Sequence, residues 1–205
     1  MAKRKGLASK SSRPGRLRIV AGKWRSRLLP IADQKALRPT ASRVRETLFN
    51  WLSTDIHGSH CLDLFAGTGA LAFEALSRGA AAVTMIEKSA AVADLLRSSA
   101  ASLDAVDARI DCADALSFLR RPADKRYNIV FLDPPFTDDL VEQCCQLLHS
   151  NDWLAESAAV YIEQDKSRPL PSLPAGWEIT KDKTAGNVRL ALVRVNGQGQ
   201  QGRIR

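Results

Sequence analysis

The sequence predicts a doubly wound α/β fold, a seven-stranded and mostly parallel sheet carrying helices on both faces, with a basic β-hairpin and helix placed before it. Three observations lead there. From Ser59 onward, short apolar runs alternate with amphipathic helical stretches through five strands, the order of a parallel sheet with right-handed crossovers. The run Ile129 to Leu132 is uninterruptedly apolar, as a parallel strand buried on both faces must be. Finally, 205 residues at 45% hydrophobic content supply one well-buried domain with some appended material.

The elements follow in order. Residues 1–15 read as a disordered basic tail. From Arg16, "RLRIVAGKWRSRLLP" alternates basic with apolar residues around Ala21-Gly22, the pattern of a hairpin presenting Arg16, Arg18, Lys23, Arg25 and Arg27 with Trp24 among them. In "LRPTASRVRETLFNWL", Pro39 and Thr40 signal a helix start, and Val44, Leu48, Trp51 and Leu52 recur at helical spacing. That face packs on the body and leaves Arg38, Arg43 and Arg45 free. Residues 16–52 therefore form an extension, and residues 53–195 the main domain. Its strands are "HCLDLF", "AVTMIE", "ARIDCAD", "NIVFLD" and "AAVYIEQ", separated by helices near 70–78, 90–103, 116–121 and 140–148. "WEITKDKTAGNVRLALVRV" reads as an antiparallel hairpin turning near Ala185-Gly186-Asn187 at the sheet edge. The Gly- and Gln-rich residues 196–205 read as a disordered tail.

Composition excludes several classes. No apolar stretch approaches the roughly 20 residues of a membrane helix, and no apolar segment follows the basic start to make a signal peptide, so a cytoplasmic chain is expected. Cys61, Cys112, Cys144 and Cys145 show neither C-x-x-C spacing nor the density of a disulfide scaffold, and read as reduced and mostly buried, with no metal. Charge is uneven along the chain. Residues 1–50 carry 14 Lys and Arg against Asp33 and Glu46 alone, whereas the remainder has 16 basic and 20 acidic residues. A basic arm on a mildly acidic body is the distribution of a polyanion binder. Arginines beside a tryptophan suit phosphates and unstacked bases.

In an open sheet of this kind a ligand sits beyond the carboxyl ends of the strands. After the first of the five stands "DLFAGTGALAFEAL", in which Gly67, Gly69 and Ala72 satisfy a literal G-x-G-x-x-A. A dinucleotide would lay its pyrophosphate on this helix start, yet the strand ends in Asp63, whose charge opposes phosphate. An acid there suits a cationic ligand such as S-adenosylmethionine, with Phe65 on the same loop. The second strand ends in Glu87, 18 residues after Gly69, near the spacing at which an acid takes ribose hydroxyls. The third ends in Asp114, which with Ala115 is placed to meet an adenine.

The fourth strand ends in Asp133-Pro134-Pro135-Phe136. Two prolines fix φ and remove two N–H donors, so the Asp133 carboxylate and the Pro134 carbonyl form an acceptor surface for a planar amine. Gripping both amine hydrogens frees the nitrogen lone pair toward a methyl sulfonium, and Phe136 would stack on the base once it is flipped from its helix. "DPPF" resembles the D/N-P-P-Y/F motif of amino-group methyltransferases that use S-adenosylmethionine, and "DLFAGTGALAFEAL" resembles their cofactor loop. With "RPTASRVRETLFNWL" upstream, the chain from about Arg16 to Val195 resembles the RsmD family, which modifies the N2 amine of a guanine in 16S ribosomal RNA. The resemblance implies a class I, Rossmann-like methyltransferase sheet with an antiparallel last strand. It also implies a cofactor site at Asp63, Gly67, Gly69, Glu87 and Asp114, and catalysis at Asp133 to Phe136. A monomer acting on 16S RNA within the small ribosomal subunit is expected. The motif itself leaves open methylation of adenine N6 or of a protein glutamine amide, and the basic arm leaves open a non-enzymatic RNA-binding assembly factor.

Overall fold

A computed structural model of the chain describes residues 15–31, 42–135 and 140–196. Strands β1 (Arg16–Arg18) and β2 (Leu28–Pro30) form a small antiparallel pair, with Leu17 opposite Leu29. Helix α1 (Ser42–Trp51) follows. The domain then runs β3 (His60–Asp63), α2 (Ala70–Ser77), β4 (Ala82–Glu87), α3 (Ala90–Ser102), β5 (Ala108–Cys112), α4 (Ala115–Leu119), β6 (Tyr127–Leu132), α5 (Val141–Ser150), β7 (Leu154–Asp165), β8 (Trp177–Ala185) and β9 (Val188–Val195).

Seven strands lie in the order β5-β4-β3-β6-β7-β9-β8. The first five are parallel, and β9 runs antiparallel to both β7 and β8. The terminal hairpin expected at the edge is there, with its second strand inserted between β7 and its first. Successive strands move outward from β3 to β5, and the chain then returns to place β6 on the other side of β3. That reversal opens a crevice between the carboxyl ends of β3 and β6.

Side-chain alternation along the strands divides the core into two layers. Cys61, Phe131 and Tyr161 face α1, α2 and α3, while Leu62, Val130 and Ile162 face α4 and α5. The extension joins the first layer: Leu17, Ile19, Trp24, Leu29, Val44, Leu48 and Phe49 share one buried cluster with the sheet. Phe49 lies against Phe131 with ring centroids 6.1 Å apart. Truncating a residue such as Leu48, which has no exposed surface, would cost about 2–5 kcal/mol, so this extension is integral to the fold.

Helix α2 is buried on every side, because it lies between the sheet and the extension. Its one acid, Glu74, has 0% exposure and is fully engaged. It accepts from the Val20 and Ala21 N–H groups at 2.8 and 2.9 Å, from Arg45 Nη1 at 3.2 Å and from Arg78 Nε at 2.8 Å. At the end of α2, Lys23 N–H donates to the Ser77 carbonyl at 2.8 Å, and Trp24 N–H donates to the Ser77 hydroxyl at 3.0 Å. Gly22 makes this approach feasible, since a Cβ there would stand 1.8 Å from the Ser77 carbonyl oxygen.

One expectation needs correction, and others fall outside the described residues. The paired strands are shorter than the sequence pattern: beyond Arg16–Arg18 and Leu28–Pro30, Ile19 still exchanges backbone bonds with Arg27 and Ser26 at 3.0 and 2.9 Å, and residues 20–25 form a turn docked on α2. The cysteines are mostly buried, as expected: Cys61, Cys144 and Cys145 are buried, Cys112 is exposed, and all four are free. The helix start at Pro39-Thr40 and nearly all of both tails lie outside the described residues. Among the described residues, no helix is long and apolar enough to cross a membrane.

Candidate active site

The loops after the strands are tied together by backbone bonds across the crevice. Leu64 N–H reaches the Phe131 carbonyl at 3.2 Å, Ala66 N–H reaches Ile86 at 3.0 Å, and Ala113 N–H reaches Glu87 at 3.1 Å. Four predicted acids therefore stand on one rigid rim: Asp63 ending β3, Glu87 ending β4, Asp114 after β5 and Asp133 after β6.

The glycine loop shows a division of labour. Gly67 and Gly69 both have positive φ, 50° and 73°. A Cβ on Gly69 would stand 2.5 Å from the Phe73 ring and 2.8 Å from Leu96, so this glycine is needed for helix packing. The Gly67 N–H is taken by Glu87 Oε2 at 3.0 Å, while Glu87 Oε1 accepts from Ser89 N–H at 2.8 Å. Each carboxylate oxygen has a second lone pair, so Glu87 can shape the loop and still accept from a ligand. Phe65 is half-buried beside the loop, and Ala115 is buried at the first turn of α4. Asp114 caps that helix, its Oδ1 accepting from Ser117 N–H at 2.9 Å, and remains exposed to the rim.

Asp63 is 2% exposed and accepts from Phe65 N–H at 3.4 Å. Burial, and then the facing Asp133 carboxylate, push its pKa up to about 7. Asp133 is half-buried, Pro134 is buried and Pro135 is exposed. Phe136 lies outside the described residues.

A further acid was missed in the sequence. Leu132 pairs with Ile162 across β6 and β7, which sets Glu163 beside Asp133 one strand over. Strand alternation puts Asp63, Asp133 and Glu163 on one sheet face, at the ends of three adjacent strands. Glu163 is 5% exposed, and its Oε2 accepts from Tyr161 Oη at 2.8 Å. Burial and the Asp133 charge raise its pKa well above the usual carboxylate range. The available signal was an acid closing the otherwise apolar "AAVYI" run.

These acids, the glycine loop and the Asp-Pro-Pro turn stand together at the carboxyl ends of the strands, where the strand order reverses. The family described as Conserved hypothetical protein 95 matches residues 17–194. Ribosomal RNA small subunit methyltransferase D of Escherichia coli is 47% identical over 186 residues, spanning 91% of this chain and 93% of that protein. The chain belongs to the RsmD family. The Haemophilus influenzae protein of the same name is 45% identical over 181 residues, covering 87% of this chain and 93% of its own. The solved structure of Escherichia coli yhhF superposes with a TM-score of 0.85 at 45% identity, over 90% of this chain and 100% of that one. The class I, Rossmann-like methyltransferase fold anticipated from the RsmD resemblance is thus the fold observed.

In this RsmD-family chain the predicted RNA-contacting residues separate into two groups. Arg16, Arg18, Lys23, Arg25, Arg27 and Arg43 are exposed, although Arg27 Nη2 also donates to the Ser102 carbonyl at 3.0 Å. Arg45 is not on the free face expected for it. It is 2% exposed, donating to Glu74 and, at 2.9 Å, to the Arg18 carbonyl, because the docked loop leaves it facing a buried acid. Trp24 is likewise no stacking platform: it is 9% exposed in the core, with Lys23 Nζ 4.1 Å from its ring centroid. Arg38 lies outside the described residues. Among the described residues no group of three or more His, Cys, Asp or Glu side chains is arranged to hold a metal ion.

Proposed function

We propose that this protein transfers a methyl group from S-adenosylmethionine to the exocyclic N2 amine of a guanine in 16S small-subunit ribosomal RNA. The observation that carries the reading is the Asp133-Pro134-Pro135 turn standing at the sheet reversal beside the Gly67–Gly69 loop. Relatives named as small-subunit ribosomal RNA methyltransferases support the substrate class.

The donor set fits a cationic, phosphate-free cofactor. The loop and Asp63 face its methionine end, the remaining lone pairs of Glu87 take its ribose hydroxyls, and Asp114 with the Ala115 N–H meets its adenine. Bound there, S-adenosylmethionine supplies an electrophilic methyl on a sulfonium. The Asp133 carboxylate and the Pro134 carbonyl accept the two amine hydrogens and turn the nitrogen lone pair toward that methyl. The methylated amine carries one proton too many and is strongly acidic, so Asp133 or water suffices to remove it. The exposed cations of the extension, together with Arg43, bind the RNA backbone. The reaction takes place in the cytoplasm, on a particle or on free RNA.

The test is nucleoside analysis of small-subunit RNA from cells lacking this chain, after incubation with the purified protein and labelled cofactor. Label in N2-methylguanosine is expected; label in N6-methyladenosine, or in protein, would overturn the reading. Asp133→Ala should lower turnover by about 100-fold or more while calorimetric cofactor affinity stays near wild type. Survival of turnover within about tenfold would dismiss the amine grip.

A further inference from the structure

Next to the Asp-Pro-Pro turn lies a cavity of about 350 Å³. This volume is at the small end of the roughly 300–1,000 Å³ typical of ligand pockets. Pro134 and Pro135 form one wall and Pro169, Leu170 and Pro171 another, and Glu163 is among the remaining lining residues. The second wall is fixed, since the Gln164 side-chain amide donates to the Arg168 and Pro169 carbonyls at 3.2 and 2.8 Å. Apolar walls with the acids Glu142, Glu163 and Asp165 around them suit a planar base that offers hydrogen-bond donors on one edge.

The Glu163 carboxylate is unusual for its position. It is nearly fully buried, yet its single hydrogen bond among the described residues is the one from Tyr161 Oη to Oε2. No described residue donates to Oε1. A buried acceptor with spare capacity is costly unless something donates to it. Tyr161 fixes the carboxylate's orientation and leaves Oε1 for a ligand held at the neighbouring Asp133 turn.

We infer that Glu163 reads the target base, accepting the N1–H of guanine while Asp133 and Pro134 hold the neighbouring N2 amine. The inference rests on the guanine-N2 reading above and adds a residue that enforces it. Guanine presents N1–H beside its amine, two adjacent donors that side chains converging from neighbouring strands, whose backbones run about 4.8 Å apart, can accept together. Adenine presents an acceptor nitrogen beside its amine, which the ionised carboxylate repels, so the discrimination is sharpest above about pH 8, where Glu163 is charged. A glutamine side chain likewise offers no second donor next to its amide nitrogen. The Asp-Pro-Pro turn accepts any planar amine, so discrimination has to come from a neighbour such as this one. Rejection of a base that leaves a buried polar group unpaired is the strongest discrimination a site can build.

The experiment compares wild type, Glu163→Gln and Glu163→Asp as full-length proteins on small subunits from cells lacking the chain. N2-methylguanosine formation gives kcat and KM, calorimetry gives cofactor affinity, and thermal unfolding reports the fold. Glu163→Gln keeps an acceptor for Tyr161 and nearly the same volume, but its amide sets a donor against N1–H. Its kcat/KM should fall about 100-fold, with cofactor affinity within twofold and no loss of Tm, while Glu163→Asp, which keeps the carboxylate, should recover at least tenfold of that loss. Glu163→Gln within threefold of wild type, or Glu163→Asp no better than Glu163→Gln, would overturn the base-reading role and leave guanine-N2 transfer standing. Absence of N2-methylguanosine with the wild-type protein would remove both.

Discussion

At the scale of single residues, the site is governed by acids that crowd one another. Asp63 is the clearest case, with Asp133 and Glu87 facing it and the Phe65 N–H its partial relief. Its carboxyl ionises near the ordinary carboxylate value of about 4 in the unfolded chain but at about 7 in the fold. Ionisation is therefore easier when unfolded, and the stability that Asp63 contributes below about pH 4 is lost as pH rises through about 7. Asp63→Asn keeps an acceptor for Phe65 and discards the charge. Its Tm relative to wild type should rise between pH 5 and pH 8.5 by at least about 2 °C, the shift that roughly 1 kcal/mol gives a chain of this size. A difference that stays flat with pH would mean the crowding is not felt. Asp63, Glu87, Asp114 and Asp133 were legible in sequence because each closes a recognisable strand before a turn. Glu163 was not, because its importance comes from lying beside Asp133, a relation set by strand register that no local pattern carries. Arg45 and Trp24 were misread for a related cause. Helical and strand periodicity identify an apolar face, but the partner that buries Arg45 is Glu74, 29 residues away.

At the scale of elements, α2 organises the N-terminal half. Its first residue follows the glycine loop, its middle carries Glu74, and its last residue, Ser77, receives the Lys23 and Trp24 N–H groups. Removing the acid leaves Arg45 buried without its ion-pair partner and two backbone donors unmet. Glu74→Ala should cost about 3–5 kcal/mol in denaturant titrations, the usual penalty for breaking a buried pair. Limited proteolysis should then cut within residues 19–27, where wild type resists. A variant destabilised by under 1 kcal/mol would show that apolar contacts alone dock the extension. The sequence disclosed the order of strands and helices to within a few residues, since apolar periodicity and turn residues are local signals. It did not disclose that the basic hairpin pattern folds into a docked loop, because the docking surface belongs to another element.

At the scale of the whole molecule, charge and chemistry are separated. The acids gather at the crevice, as the proposed cationic cofactor requires, and exposed cations gather on the extension, as a proposed RNA contact requires. Replacing Arg16, Arg18, Lys23, Arg25 and Arg27 with neutral residues leaves the buried contacts of the loop in place. RNA affinity should fall and its salt dependence should flatten together, by up to about 0.7–0.9 in log–log slope for each phosphate that is no longer neutralised. An unchanged slope would assign RNA binding to other surfaces. Motif and family resemblance made the acids and glycine loop of the crevice readable from sequence, and the charge asymmetry made the exposed cations of the extension readable. How firmly the two are joined was not.

That joint also has a timetable. Gly22 and its neighbours leave the ribosome about 50 residues before Glu74 and Ser77, to which they bind across separations of 53 and 54 positions. At about 5–20 residues per second the arm waits roughly 3–10 s with Leu17, Ile19 and Trp24 uncovered. The extension is thus made before the α2 surface that holds it and finds its place only afterwards.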